Sequence, residues 1–181
     1  AYNLLLFEQR QRLHRAIGKV LERQWRGRLG PVLEMVAWHF EQGALPAKAY
    51  PYLVRSGEHL MSRSLMSEAL TAFDRALRLE SVAREYLLLD DADRALARLL
   101  LARSRAFAHL GRWEEADSEV HTAHRIAGEL EDERLLAQTH YELGCMHRRH
   151  TDLVRADEHI GQSLELAKKV GDASIEVASI N

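Results

Sequence analysis

Ten histidines give this sequence an abundance of potential metal ligands. His121 and His124 are three positions apart, as are His147 and His150, and residues at that spacing share one face of a helix. Pairs of this kind can ligate zinc, but a structural zinc site needs four ligands. Neither pair has an obvious cysteine or carboxylate to complete the set. We therefore predict surface or packing histidines, no metal site and no cofactor.

Cys145 is the only cysteine, so the chain cannot form an internal disulfide, and a cytoplasmic location is expected. A catalytic thiol requires a base that activates it, and no such partner is evident beside Cys145. The carboxylate clusters, such as Glu114-Glu115, fall at the starts of predicted helices, where they complement the helix dipole and cap free amides. We predict no catalytic residues and no enzyme activity.

The charge balance and hydropathy exclude two further classes of partner. Basic and acidic side chains number 25 and 27, so no net field attracts the phosphate backbone of nucleic acids. The longest apolar runs, such as Leu99–Ala102, fall far short of the roughly 20 residues that span a membrane. The chain begins at Ala1 and stops at Asn181 soon after a new helix begins, which suggests a piece of a longer protein.

Apolar residues recur at about 3.6 residues throughout the chain, which predicts helices and no sheet. The predicted helices cover 3–25, 29–42, 46–63, 66–85, 92–110, 113–129, 133–149 and 153–170, and another starts near 173. Pro46 suits a first helical turn, whereas Pro51 lacks a backbone donor and predicts a kink or a later start. Between Ser81 and Asp93, the leucines either continue a helix or form a packed loop, and the aspartates there can cap the next helix.

A segment of the C-terminal half recurs forty residues later with matching size and polarity. The matched positions in the first copy are Ser104, Gly111, Trp113, Ala116, Val120 and Ala123. Those in the second copy are Gly144, Thr151, Leu153, Ala156, Ile160 and Ser163. Small residues let two helix backbones approach closely, while the larger ones fill the space between successive helix pairs.

This order of small, turn, aromatic, alanine, large and small residues resembles the tetratricopeptide repeat. The resemblance implies an all-α right-handed solenoid of antiparallel helix pairs. The period of forty residues exceeds the roughly 34 that are usual for that family, which implies longer helices. Gly57, Ala69, Phe73 and Ala76 give a partial upstream match, and a weaker one overlaps it. We divide the chain into degenerate helical hairpins at 1–90, two clear repeats at 91–172 and a truncated repeat at 173–181.

The N-terminal half carries a second resemblance. Ala1-Tyr2-Asn3-Leu4-Leu5, the segment Arg10–Gly18, Ala37–Phe40 and Ala49–Leu53 are similar to the helical arm that follows the nucleotide-binding core of large bacterial signalling ATPases. In that family an output domain, such as a cyclase, a protein kinase or a DNA-binding domain, is joined to a P-loop ATPase and then to tetratricopeptide repeats. No P-loop motif occurs in these 181 residues. The resemblance therefore implies that the ATPase precedes Ala1.

The tetratricopeptide resemblance also implies a ligand groove, lined by the first helix of each pair. The residues that it places there are Arg98, Leu101, Ala102, Arg105, Ala108, His109, Gln138, Tyr141, Glu142, Cys145, Arg148 and Arg149. Arginine pairs with carboxylates through a two-pronged fork, so an acidic peptide fits this basic face. The lysine and asparagine set by which chaperone-binding repeats hold a terminal carboxylate is missing.

These observations predict a cytoplasmic interaction module, the regulatory or sensor arm of a larger signalling protein. Its partner would be a protein or peptide, or another domain of the same chain, and not nucleic acid or a membrane. Two alternatives stay open: a structural module that stacks chain against chain as a homo-oligomer, and a helical domain that senses a small molecule or a metal.

Overall fold

The computed structural model describes residues 6–25, 30–85 and 89–180, and within these ranges the backbone is helical, without strands. The helices are α1 (Phe7–Gln24), α2 (Leu33–Gln42), α3 (Pro46–Ser62), α4 (Met66–Arg84), α5 (Leu89–His109), α6 (Trp113–Glu129), α7 (Glu133–Arg149), α8 (Leu153–Val170) and α9 (Ala173–Ile180). The all-α prediction is confirmed. The predicted helix start at residue 3 and the join at Tyr86–Leu88 lie outside the described residues.

Two helix starts differ from the predicted ranges. A single turn of 3-10 helix at Gly30–Val32 precedes α2, which therefore begins at Leu33. Helix α5 begins at Leu89, so Asp90 and Asp91 lie within its first turn and do not precede it as caps. Helix α3 begins at Pro46, as the range 46–63 predicts, and continues through Pro51, so the alternative of a later start is wrong. Pro46 occupies the first turn, where a missing backbone N–H costs no hydrogen bond.

The chain has two compact units, of which the first is Ala1–Leu89. In this unit α1 packs on α2, α2 on α3, and α3 on α4. Phe40, Leu53 and Phe73 are fully buried in its core. A Cβ atom added to Gly57 would lie 2.2 Å from Cε1 of Phe73, so the missing side chain lets α3 and α4 approach closely.

In the second unit, Asp90–Asn181, small residues make close contacts between helices. The hydroxyl of Ser104 on α5 donates to the carbonyl of Ala116 on α6 at 2.8 Å. The hydroxyl of Ser163 on α8 donates to the carbonyl of Ala137 on α7, also at 2.8 Å. Both hydroxyls are fully buried, and the bonds satisfy them without separating the helices. The other buried packing positions are Ala123, Gly144 and Ala156.

The turns of the second unit recur every twenty residues. Gly111, Glu131, Thr151 and Gly171 each have a positive φ, between 50° and 74°. The next residue donates its backbone N–H to the carbonyl five positions earlier, as in Asp132 to Ala127 at 3.0 Å. This is the Schellman ending of a helix, and it is followed at once by the next helix. In the first unit, Ala44 and Ser64 have positive φ at the same interval of twenty.

Aspartate stands after three of these turns. Asp132 accepts a hydrogen bond from the backbone N–H of Leu135, and Asp152 accepts one from Arg155. Asp172 accepts one from Ile175 at 3.4 Å. Each aspartate therefore caps the helix that follows it, so a left-handed residue and a cap together end one helix and begin the next.

Candidate functional site

A surface cavity of about 370 Å³ lies in the second unit, beside α7. The residues that line it are Ala108, Trp113, Glu142, Cys145, Met146, Arg148 and Arg149. Five of these were predicted to lie in the ligand groove, and Met146 and Trp113 were not. Ala108 comes from the end of α5 and Trp113 from the start of α6, so the turn at Gly111 brings them together. The cavity combines apolar side chains with two exposed arginines.

The arginines of this cavity have different partners. The guanidinium carbon of Arg149 lies 3.4 Å from the centre of the Trp113 ring, a cation–π stack that holds the two side chains together. Arg105, just outside the lining, donates from Nε to Oε1 of Glu142 at 2.5 Å. Glu142 is largely buried and its charge is neutralised by this contact. Arg148 is exposed, and it is the arginine best placed to meet a ligand carboxylate.

Cys145 lies half-buried in the lining, next to Tyr141. Burial raises the pKa of the Cys145 thiol, and the nearby Glu142 carboxylate acts in the same direction, whereas Tyr141 and Arg148 act against it. The thiol is therefore protonated at neutral pH and is a weak nucleophile. Burial also raises the pKa of Tyr141. Cys145 is therefore a neutral contact group in the cavity wall, and Tyr141 lies beside it, outside the lining.

Several predicted groove residues lie elsewhere. Leu101 and Ala102 are buried, at 2% and 9% exposure, and so cannot present a surface to a ligand. The physical reason is that Leu99–Ser104 are all buried, so this part of α5 has no exposed face. Arg98 and His109 are exposed and Gln138 is half-buried, but none of the three lines the cavity.

Two predicted packing positions also differ from each other. Trp113 is half-buried beneath Arg149, whereas Leu153, forty residues later, is 62% exposed. The pattern of residue types places both at the start of the second helix of a pair. Trp113 has an aromatic ring on which Arg149 stacks, whereas leucine has no ring for a guanidinium to cover.

A chain of histidine rings crosses α6, α7 and α8. His124 and His140 meet edge to face with centres 4.6 Å apart, and the His140 and His159 centres are 5.1 Å apart. His147 stacks parallel to His159 at 5.3 Å. The Nδ1 atoms of His140 and His159 are 2.8 Å apart and share a hydrogen bond. We call His124, His140, His147 and His159 the histidine chain.

Spacing within one helix pairs His121 with His124 and His147 with His150, and so does not predict the histidine chain, whose contacts join different helices. A signal was nonetheless present in the hairpin of α7 and α8. Gly144 lies against Ala156, and the hydroxyl of Ser163 donates to the carbonyl of Ala137. In both pairs the two residue numbers are equally far from residue 150. His140 and His159 are nearly symmetric about the same point, so the hairpin predicts that they meet.

Among the residues that the structure describes, no three histidine, cysteine, aspartate or glutamate side chains are arranged to hold a metal ion. His121 instead points its Nε2 at Oδ1 of Asp117, 3.5 Å away. Burial lowers the pKa of His140 to about 4, and the neighbouring His124 and His159 rings contribute in the same direction. His140, in the middle of the histidine chain, is therefore neutral at pH 7.

One further pattern is carried by pairs of residues in different helices. Arg94 donates from Nε to Oδ2 of Asp132 at 2.8 Å, and Arg134 donates in the same way to Asp172 at 2.8 Å. The two ion pairs are forty residues apart at both ends. The first pair joins α5 to the residue that caps α7, and the second joins α7 to the residue that caps α9. The forty-residue period is evident in the sequence, but the pairing of these four residues is not.

No protein-family model matches this sequence, and no curated protein matches it either. None of the helices within the described ranges is long and apolar enough to cross a membrane.

Proposed function

We propose that the second unit is a tetratricopeptide-type solenoid of antiparallel helix pairs that binds a protein or peptide. The proposal is supported by the recurrence, after forty residues, of small-residue contacts, of turns with positive φ and of the Arg–Asp ion pairs. Recurrent contacts of this kind are how solenoids extend a continuous core.

The observation that carries the binding role is the cavity of about 370 Å³ lined by Trp113, Cys145, Met146, Arg148 and Arg149. Its wall offers apolar area beside the exposed guanidinium of Arg148, while the Glu142 carboxylate is paired with Arg105. An acidic side chain followed by an apolar one fits this combination. The preferred ligand is therefore an acidic peptide, supplied by another protein or by another domain of the same chain.

The wider context remains the one that the resemblance implies. The module would work in the cytoplasm as the regulatory or sensor arm of a larger signalling ATPase. It would act by binding and not by catalysis, and the protonated Cys145 supports that reading because a thiol of this kind is a poor nucleophile. The balance of 25 basic and 27 acidic residues supports a protein partner over nucleic acid.

Selection from a random peptide library displayed on phage tests this proposal. The selected peptides should carry acidic residues, and their affinity should fall as salt is added because the contacts are charge-assisted. Arg148→Glu should weaken binding of a selected peptide about tenfold, measured by fluorescence polarisation. Arg105→Glu is a poorer probe, because it would set a second carboxylate against the largely buried Glu142.

The matched control is Arg125→Glu, the same charge change at an exposed position of α6 that pairs with Glu129 in its own helix. It should leave the affinity of the peptide within about twofold. Equal losses in the Arg148 and Arg125 variants would mean that net charge, and not the cavity, attracts the peptide.

Self-association is the second candidate function, and a specific observation favours it. Leu153 and Val154, adjacent at the start of α8, are 62% and 71% exposed. Two neighbouring apolar side chains at a surface lose contact with water when chains stack. Light scattering would then show a mass that rises with concentration, and Leu153→Ser with Val154→Ser would abolish the rise. A constant monomer mass excludes this role.

A further inference from the structure

Two pairs of helices are joined by a hydrogen bond between histidine rings. In the second unit the Nδ1 atoms of His140 on α7 and His159 on α8 are 2.8 Å apart. In the first unit the Nδ1 atoms of His14 on α1 and His39 on α2 are 2.9 Å apart. A bond between two ring nitrogens needs one nitrogen that carries a proton and one with a free lone pair. Neither bond survives when both rings are protonated.

The surroundings of the pair in the second unit also favour neutral rings. Thr139 donates its hydroxyl to the carbonyl of Leu136 at 3.1 Å, so its oxygen accepts from Nδ1 of His124 at 2.9 Å. His124 is thereby fixed against one side of His140, and His147 is stacked on His159 at the other end. Protonation of neighbouring rings at these distances would place like charges about 5 Å apart in a half-buried site.

Three carboxylates lie near histidines of α6, α7 and α8. From α6, Asp117 faces His121, and from the turn before α8, Asp152 lies 3.9 Å from Nδ1 of His147. On α8 itself, Glu158 raises the pKa of His159, although burial and the neighbouring His147 outweigh it and the net pKa is lowered. His140, between His124 and His159, is the ring for which protonation is least favourable.

We propose that the histidine chain is a proton-sensitive fastener, which holds α6, α7 and α8 together at neutral pH and weakens as the solution becomes mildly acidic. The fastener depends on the His140–His159 bond, because that bond joins two helices and is lost when both rings carry a proton. The parallel bond between His14 and His39 gives the first unit a fastener of the same kind.

The direction of the effect follows from proton linkage. A histidine in the unfolded chain takes up a proton near pH 6.5, whereas burial and the adjacent rings lower the pKa of His140 in the folded chain to about 4. Between these two pH values the unfolded state binds more protons than the folded state, so the free energy of unfolding decreases as the pH falls. The contribution of the fastener is complete above pH 6.5 and is lost towards pH 4.

Helix α7 links this fastener to the cavity, since it carries His140 and His147 and also Glu142, Cys145 and Arg148. Loosening of α7 would therefore change the cavity wall. That consequence rests on the proposed binding function, whereas the effect of pH on stability does not.

The test compares urea unfolding of the complete 181-residue chain with that of the double variant His140→Gln and His159→Gln. Glutamine side chains can hydrogen-bond to each other but do not titrate. Between pH 6.5 and pH 5, the unfolding equilibrium constant of the wild type should rise about tenfold more than that of the double variant. His150→Gln, at an exposed histidine, should behave like the wild type.

The same pH dependence in the wild type and the double variant would overturn the proposal. If the double variant does not fold, NMR titration of the wild-type histidine rings replaces it. At least one ring of the His140–His159 pair should then titrate below pH 5.5. Titration of both rings near pH 6.5 would equally overturn the proposal.

Discussion

At the residue scale, glycine positions distinguish a close helix contact from an open surface. Gly57 faces Phe73, whose Cε1 lies 2.2 Å from the place of an added Cβ, and Phe73 is fully buried. Gly57→Ala should therefore destabilise the protein by about 1–3 kcal/mol, since a buried ring cannot move aside without cost. The free energy of unfolding in urea measures this loss.

The control is the same substitution at an exposed glycine inside α8. An added Cβ at Gly161 meets no atom within 4 Å. Gly161→Ala should stabilise the protein by up to about 1 kcal/mol, because alanine restricts the unfolded chain and favours helix. A similar gain at both positions would indicate that the α3–α4 contact is not close.

The reactivity of Cys145 is a second residue-scale prediction. Because burial raises the pKa of its thiol, little thiolate is present at pH 7.5. Alkylation by iodoacetamide should be slower in the native chain than in the urea-unfolded chain, after correction for the effect of urea on free cysteine. Equal rates would mean that Cys145 is fully accessible and would remove it from the cavity wall.

Residue types at the repeat positions predicted much of the packing, but not the whole cavity. Ser104, Ala116 and Ser163 are buried as their sizes suggested. Leu101 could not be placed from the sequence, because its burial depends on neighbours that enclose α5 on every side. Trp113 was assigned to packing alone, since nothing in a single helix reveals that Arg149 will cover its ring.

At the element scale, Asp132 and Asp172 each join two helices at once. Asp132 caps α7 through the backbone N–H of Leu135 and accepts a bond from Arg94 on α5. Asp132→Ala removes both contacts and should cost about 1–2 kcal/mol in unfolding free energy. Asp132→Asn keeps an acceptor for the cap and should cost less than about 1 kcal/mol.

The stabilisation by Asp132 should also depend on pH. Burial alone would raise the pKa of this carboxyl, but the hydrogen bonds from Arg94 and Leu135 outweigh burial and lower it. The stabilising effect is therefore present at neutral pH and is lost as the pH falls below about 4. The difference in stability between the wild type and Asp132→Ala should shrink from pH 6 to pH 3. A constant difference would mean that the cap does not require the charged carboxylate.

Helix positions were largely predictable because the apolar period and the turn signals are local. Helices α6, α7 and α8 coincide with the predicted ranges 113–129, 133–149 and 153–170. The start of α5 was placed three residues late, because aspartates suit both a cap and a first helical turn. The ion pairs and the histidine chain join different helices, and no local pattern reports such contacts.

At the scale of the whole molecule, the division into Ala1–Leu89 and Asp90–Asn181 makes a prediction about folding. Each unit has its own fully buried side chains, including Phe40 and Phe73 in the first, and Leu99 and Leu143 in the second. A fragment of residues 86–181 should therefore be helical by circular dichroism and unfold cooperatively in urea. A fragment with little helix, or with a broad transition, would show that the second unit is not autonomous.

The twenty-residue spacing of the turns limits how this chain can change in length. A single residue separates each positive-φ position from the helix that follows, at Gly111, Glu131, Thr151 and Gly171. The turns therefore have no spare residues that could absorb a change in length. One residue inserted into α7 would rotate every later side chain of that helix by about 100° and turn Leu143 away from the core. Insertions and deletions that preserve this unit should therefore come as whole helices or whole hairpins.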